Sequence, residues 1–201
     1  MPELRDLFIT YLAREQFDLD NEKLAAWALD MEENGDGRTV SNQGGYQSND
    51  IMDPPEVLEP LYNELTNFGN DLCQRIGIAP IVIDNMWVNV NRYRDFNWPH
   101  SHNQATVSGV YYVKTPPDCG YIQFQNPTAD FENPWTVVGD DNPYTAESWW
   151  MPCEEGTVYL FPSHIRHGVQ PSQNKTEPRI SISFNFLHKC FNDPNFPLKN
   201  K

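Results

Sequence analysis

No stretch of the chain approaches the roughly 20 consecutive apolar residues that a membrane-crossing helix needs. No Cys-x-x-Cys pair occurs, and the four cysteines (Cys73, Cys119, Cys153, Cys190) fall at no spacing used by a structural zinc site. Internal repeats are absent, and so is any linker long enough to divide the chain into separately folded units. Basic residues are scarce: 14 Lys and Arg stand against 28 Asp and Glu, for a net charge of −14. Such a chain repels nucleic-acid backbones and anionic membranes, both of which reward clustered Lys and Arg. The charge serves solubility first, and a basic partner second. Residues 1–16 are charged and have no apolar signal core, so the expectation is a cytoplasmic protein with reduced, buried thiols.

Bulky core material is plentiful. Hydrophobic residues make up 39% of the 201, aromatics alone 13%, which excludes global disorder and suits one domain. Two textures divide it. Residues 1–78 read as mainly helical. One helix runs from Asn21 through Glu33, capped by Asp20 or Asn21 and stopped by Gly35 and Gly37. Another follows Pro54-Pro55, places Val57, Leu58, Leu61, Leu65, Phe68 and Leu72 at helical spacing, and ends at Gly77. The polar, Gly-Gly-containing segment 38–50 between them reads as a loop or short hairpin.

From residue 79 to 190 the period shifts toward two. Ile81–Asn91 alternates and is rich in β-branched residues. Further strands are expected at Thr106–Lys114, Tyr121–Gln125, Thr136–Val138, Ser148–Met151, Thr157–Phe161, Gly168–Gln170 and Ile180–Leu187. Short strands punctuated by Pro, Gly, Asn and Asp predict a sandwich or barrel, with residues 191–201 as a tail. The segment 126–147, with three Pro and five acidic residues, reads as a long insertion covering a site.

Five histidines are few, and they cluster. His100-Ser-His102, expected at a strand start, sets two imidazoles on one face. Neutral imidazoles side by side suit iron(II), zinc or nickel. His167 can complete the set if the strands wrap; His164 and His188 have weaker claims. Trp87, Asn89 and Asn91 share a strand face and would line the interior, with Ser108 and Gln123 as further polar candidates. Arg166 reads as a surface residue that would otherwise meet a substrate anion. Of Trp149 and Trp150, alternation predicts one ring in the core and the other on a substrate cleft.

Four motifs occur in order: His100-Ser-His102; Val107-Ser-Gly-Val-Tyr-Tyr-Val; Gly120-Tyr-Ile-Gln-Phe; and His167-Gly-Val followed by Arg179-Ile-Ser-Ile-Ser-Phe-Asn-Phe. Together they resemble the 2-oxoglutarate/Fe(II)-dependent oxygenase superfamily in its prolyl-hydroxylase-like branch, and more closely a bacterial and phage group within it. The resemblance spans about residues 85–187. It implies a mainly β fold with N-terminal helices, a double-stranded β-helix (jelly-roll, cupin-like) barrel, with Fe(II) and 2-oxoglutarate as cofactor and cosubstrate. It implies metal ligands His100, His102 and His167, and a cosubstrate site of Arg179, Ser181 and Tyr112, to which Asn89 or Asn91 would add a bond near the metal. The reaction implied is oxidation, by hydroxylation, of a small molecule or peptide. His102 departs from the usual triad by standing where the prolyl-hydroxylase-like branch has Asp; Asp95 is a substitute ligand at poor spacing. Two other readings stay open: a cupin-like metal enzyme without 2-oxoglutarate, and a non-catalytic binding module. A homodimer through the N-terminal helices is also open.

Overall fold

The computed structural model describes residues 3, 5–6, 8–128 and 138–189. Its elements follow in the order β1 (Ala13–Gln16), α1 (Asn21–Asn34), β2 (Asn42–Gln43), β3 (Tyr46–Gln47), a 3-10 turn (Glu56–Leu58), α2 (Glu59–Ile76), β4 (Ile81–Asn91), β5 (Phe96–His100), β6 (Val107–Lys114), β7 (Tyr121–Gln125), β8 (Ser148–Pro152), β9 (Thr157–Pro162), β10 (His167–Val169) and β11 (Arg179–His188).

Both helices form where their sequences predict. The Asp20 side chain accepts the Lys23 N–H and caps α1. Gly77 ends α2 in the left-handed region, with its N–H bonded to the Cys73 carbonyl. The proline pair leads into the 3-10 turn rather than straight into α2. Residues 1–78 are less helical than expected, because β1, β2 and β3 lie among them.

The strands make two antiparallel sheets. The larger has the order β1-β9-β6-β11-β4-β3 and the smaller β2-β5-β10-β7-β8. Alternation along β11 divides the larger sheet's two faces. Ile180, Ile182, Phe184 and Phe186 are fully buried in the cluster that holds Leu24, Ala28, Leu61 and Leu65 of the helices. Ser181 and Ser183 point the other way, into the space between the sheets, as do Asn89 and Asn91 of β4. The outer face is therefore an apolar floor for two amphipathic helices. The inner face carries polar groups that need partners.

The segment 38–50 stitches the sheets together. β2 pairs with β5 of the smaller sheet and β3 with β4 of the larger. Between them Gly44 and Gly45 have φ of +68° and +65°, and a Cβ on Gly44 would stand 2.1 Å from an Asp95 carboxylate oxygen. Only glycine makes this crossing without strain. Of the predicted strands, Thr136–Val138 lies almost wholly outside the described residues, as does Cys190.

Candidate active site

The histidines meet because of a bulge. β10 pairs His167 with His100 and Val169 with Asn97, so three steps on β5 face two on β10. The extra residue re-aims the strand end so that both Asn97 and His100 face the interior. Gly168 makes room: a Cβ there would lie 2.9 Å from the Asn97 carbonyl oxygen and 3.0 Å from the Pro99 nitrogen. The His-x-His motif thus closes a strand instead of opening one. His100 is the last residue of β5, and His102 sits in the following loop, its N–H bonded to the Ser163 carbonyl at 2.8 Å.

The three rings form one group. Centroids are 5.0 Å apart for His100–His102, 4.6 Å for His100–His167 and 5.2 Å for His102–His167. Each offers a nitrogen, and these atoms all lie within 4.8 Å of one another. The Nδ1 of His100 contacts the Trp98 carbonyl at 2.7 Å, and that of His167 contacts the Ile165 carbonyl at 2.9 Å. A carbonyl accepts only from N–H, so each ring carries its proton on Nδ1 and presents a bare Nε2. Burial against Phe161 and its neighbours pushes the His167 pKa down to about 3, with the His100 ring adding to the effect. Burial likewise takes His102 to about 4 and lowers His100. All three are neutral at pH 7, the state in which imidazole binds a metal.

Deeper in the same cavity lies a second polar group. Arg179 is 1% exposed and meets no carboxylate among the described residues. Its Nη1 donates to the Cys119 carbonyl and, at 3.3 Å, to the Gln170 carbonyl, while Nη2 has no partner among the described residues. The Tyr112 hydroxyl, the Asn91 amide nitrogen and the Asn89 amide oxygen are also buried without partners. All four residues line this cavity, together with Ser181, Ser183, Ser108, Trp87 and the histidines. A lone buried cation costs several kcal/mol and an unpaired donor about 1–3 kcal/mol. Three donors facing one space, a guanidinium, a hydroxyl and an amide nitrogen, describe a socket for an anion.

The remaining candidates fall elsewhere. Gln123 lies on β7 between Ile122 and Phe124, which take the inner face, so it points outward. Trp149 and Trp150 are each 43% exposed, and neither is core, because β8 is the unpaired edge of its sheet. His164 and Arg166 are exposed, and His188 contacts the Ala79 carbonyl. Asp95 takes the Arg92 N–H at 2.6 Å beside the Gly44–Gly45 crossing and is no part of the histidine group. Ser41 and Asn97, from the stitch and the bulged strand, line the cavity without having been singled out by pattern. Ser183 was missed too, although its period-two spacing from Ser181 could have found it.

The sequence profile of the family described as "Putative 2OG-Fe(II) oxygenase" matches residues 85–185, half of the chain. The chain belongs to this family. The oxygenase thus works with iron(II) and 2-oxoglutarate, coupling decarboxylation of the cosubstrate to oxidation of a substrate. Among curated proteins, none matches the sequence. Solved structures show the same fold at low identity. A prolyl-4-hydroxylase of Pseudomonas putida is similar with a TM-score of 0.63 at 15% identity, over 89% of the oxygenase and 92% of that protein. The viral collagen prolyl hydroxylase of Paramecium Bursaria Chlorella virus-1, solved with 2-oxoglutarate, gives 0.58 at 13%, over 88% and 96%. SnoN, a non-heme α-ketoglutarate-dependent epimerase of nogalamycin biosynthesis, gives 0.65 at 13%, over 88% and 78%. No helix of the described residues is long and apolar enough to cross a membrane.

Proposed function

We propose that His100, His102 and His167 hold the iron, and that Arg179, Tyr112, Ser181, Asn89 and Asn91 hold 2-oxoglutarate. The chain would act as a single domain whose two sheets form a double-stranded β-helix, with residues 1–78 packed on it, in the cytoplasm. The observation that carries this reading is buried Arg179, with Nη2 unpaired and no carboxylate against it among the described residues, in the cavity that also holds the histidine group.

The donor set fits the dianion. A guanidinium matches a carboxylate with two parallel N–H bonds, and Nη2 of Arg179 is available for one of them. The Tyr112 hydroxyl and the Asn91 amide nitrogen add two neutral donors. Asn89 now donates from Nδ2 to the Ser183 hydroxyl at 3.1 Å and leaves its oxygen bare. With the amide reversed, Ser183 donates to that oxygen and the nitrogen faces the anion. Three neutral imidazoles leave iron(II) its full 2+ charge, where the usual carboxylate would leave 1+, and a dianionic cosubstrate balances it.

Iron with 2-oxoglutarate supplies oxygen activation and the oxidising power to attack a C–H bond. The chain binds, orients and excludes water. Backbone carbonyls fix the tautomers of His100 and His167, and Phe161, Ile122 and Val110 supply the apolar walls of the cavity that holds the metal and anion sites. The half-exposed Trp149 is level with Phe124, His167 and His100 across the paired strands, where a substrate reaching the metal would meet it. That substrate would be a small molecule or a peptide, and its hydroxylation the outcome.

Anaerobic protein titrated with iron(II) and then 2-oxoglutarate should develop the visible charge-transfer band of the chelated pair. His167→Ala should lose it together with metal binding. Arg179→Ala should bind metal but need far more 2-oxoglutarate. Metal binding with no band at any 2-oxoglutarate concentration would refute the cosubstrate site.

A further inference from the structure

Two thiols lie behind the anion socket, and the chemistry above uses neither. Cys119 precedes β7 and Cys153 follows β8. Those strands pair Tyr121 with Pro152, which brings both cysteines to the same end of the ladder, and beyond it the two thiols lie within hydrogen-bonding reach of each other. They are 5% and 9% exposed, belong to one apolar cluster with Tyr112 and Tyr159, and are both free thiols. The link to the socket is direct at two points. The carbonyl of Cys119 accepts from Nη1 of Arg179. The Cys153 side chain adjoins the Tyr112 hydroxyl.

We propose that Cys119 and Cys153 are a redox-active dithiol whose oxidation to a disulfide weakens the binding of 2-oxoglutarate. The inference rests on the assignment of Arg179 and Tyr112 to that cosubstrate. The oxidant is a hydroperoxide, hydrogen peroxide being the simplest. The Cys119 sulfur attacks one peroxide oxygen, the O–O bond breaks, and water leaves with the thiol's proton, giving a sulfenic acid. The Cys153 sulfur then attacks the Cys119 sulfur and expels a second water. Two thiols lose two electrons and two protons, and one peroxide becomes two waters. The pair is disposed for this order. The Cys153 thiol and the Arg179 guanidinium hold the Cys119 thiol below its ordinary range, and burial pushes Cys153 well up. Cys119 is thus the attacking member and Cys153 the resolving one.

The disulfide acts through distance. Its sulfurs must close to about 2.05 Å. Cys119 sits between Asp118 and Gly120, both at positive φ (+59° and +92°), in a turn held to Gln173 by the Asp118 carbonyl and to Gln170 through Tyr121. Drawing Cys119 toward Cys153 pulls its carbonyl off Arg179. The freed guanidinium no longer presents Nη2 to the socket, and Tyr112 loses its neighbouring thiol. One charge-assisted hydrogen bond misplaced corresponds to roughly a tenfold or greater loss of affinity.

The test uses full-length protein without iron, treated with hydrogen peroxide or left reduced, then loaded with manganese(II) and titrated calorimetrically with 2-oxoglutarate. Peptide mass mapping locates cross-links. The expected result is a Cys119–Cys153 disulfide, about a tenfold or larger rise in the 2-oxoglutarate Kd, reversal by dithiothreitol, and no response in Cys119→Ser or Cys153→Ser. A Kd unchanged in cross-linked protein overturns the proposal, and so does peroxide treatment that leaves the pair unlinked. Reduced protein that binds manganese but no 2-oxoglutarate would instead sink the cosubstrate assignment. The proposed control of that binding would fall with it, while the cross-link map would still report whether the dithiol exists.

Discussion

Arg179 permits a sharp separation of binding from stability. Replacing it with Met removes a cation that is 1% exposed and has no counter-charge among the described residues. Holding such a charge costs the folded protein several kcal/mol, so its loss is a relief. Against that relief stand two carbonyls, of Cys119 and Gln170, that lose their donor at about 1–3 kcal/mol each. The terms oppose and are similar in size. The net change in stability should fall within about 2 kcal/mol, or roughly 8 °C in Tm for a chain of this length. Binding has no such cancellation: a carboxylate entering the socket would be buried beside no cation, a loss of about 3–5 kcal/mol, or roughly a hundredfold to several thousandfold in Kd. Differential scanning fluorimetry and calorimetric titration with 2-oxoglutarate, run on the same Arg179→Met preparation, read the two quantities. Retained affinity would refute the anchor. A Tm loss beyond about 15 °C would refute the idea that the guanidinium is strained without its ligand.

Four other outcomes are expected. His102→Asp should retain iron(II) and bind it at least as tightly, since a carboxylate lowers the net charge of the site; equilibrium dialysis checks this, and loss of metal would show that the loop accommodates only imidazole. Metal affinity should fall far less from pH 7.5 to 5 than the about four orders of magnitude that three exposed imidazoles near 6.5 would lose, because burial takes His102 and His167 to about 4 and 3 and lowers His100. Those lowered pKa values carry an opposite sign for the metal-free fold: below pH 6.5 the unfolded chain takes up protons that the native histidines refuse, so stability should fall as pH drops from 6.5, by denaturant titration. Gly168→Ala should weaken metal binding at least tenfold with modest loss of Tm, because its Cβ presses on the backbone of the bulge that aims His100.

Periodicity made the two long strands legible. Ile81–Asn91 and Arg179–His188 alternate, and the structure sends Val88, Val90, Ile180, Ile182, Phe184 and Phe186 to the helix side and Trp87, Asn89, Asn91, Arg179, Ser181 and Ser183 to the cavity. The helices were readable because their caps and stops are local. The missed strands are those whose pairing is not local. Asn42–Gln43 and Tyr46–Gln47 are too short to show any period, and they exist as strands because a glycine crossing lays them on two different sheets. Motif order groups the histidines, but it does not show that His100 ends a strand. Phe96–His100 contains a proline and a bulge, so its inward residues are spaced by three and evade a test for alternation. The expectation that one of the two tryptophans is core fails because alternation says which face a residue takes, and only sheet order says that β8 has an open edge among the described residues.

The two halves of the site stand on different sheets. His100 and His167 belong to the smaller sheet, while Asn89, Asn91, Tyr112, Arg179 and Ser181 all belong to the larger. In the proposed complex, a cosubstrate chelating the metal at one end and gripped by Arg179 at the other is a cross-brace between them. Each turnover would consume the brace. The enzyme would then be stiffest just before reaction and slackest just after it, when product has to leave.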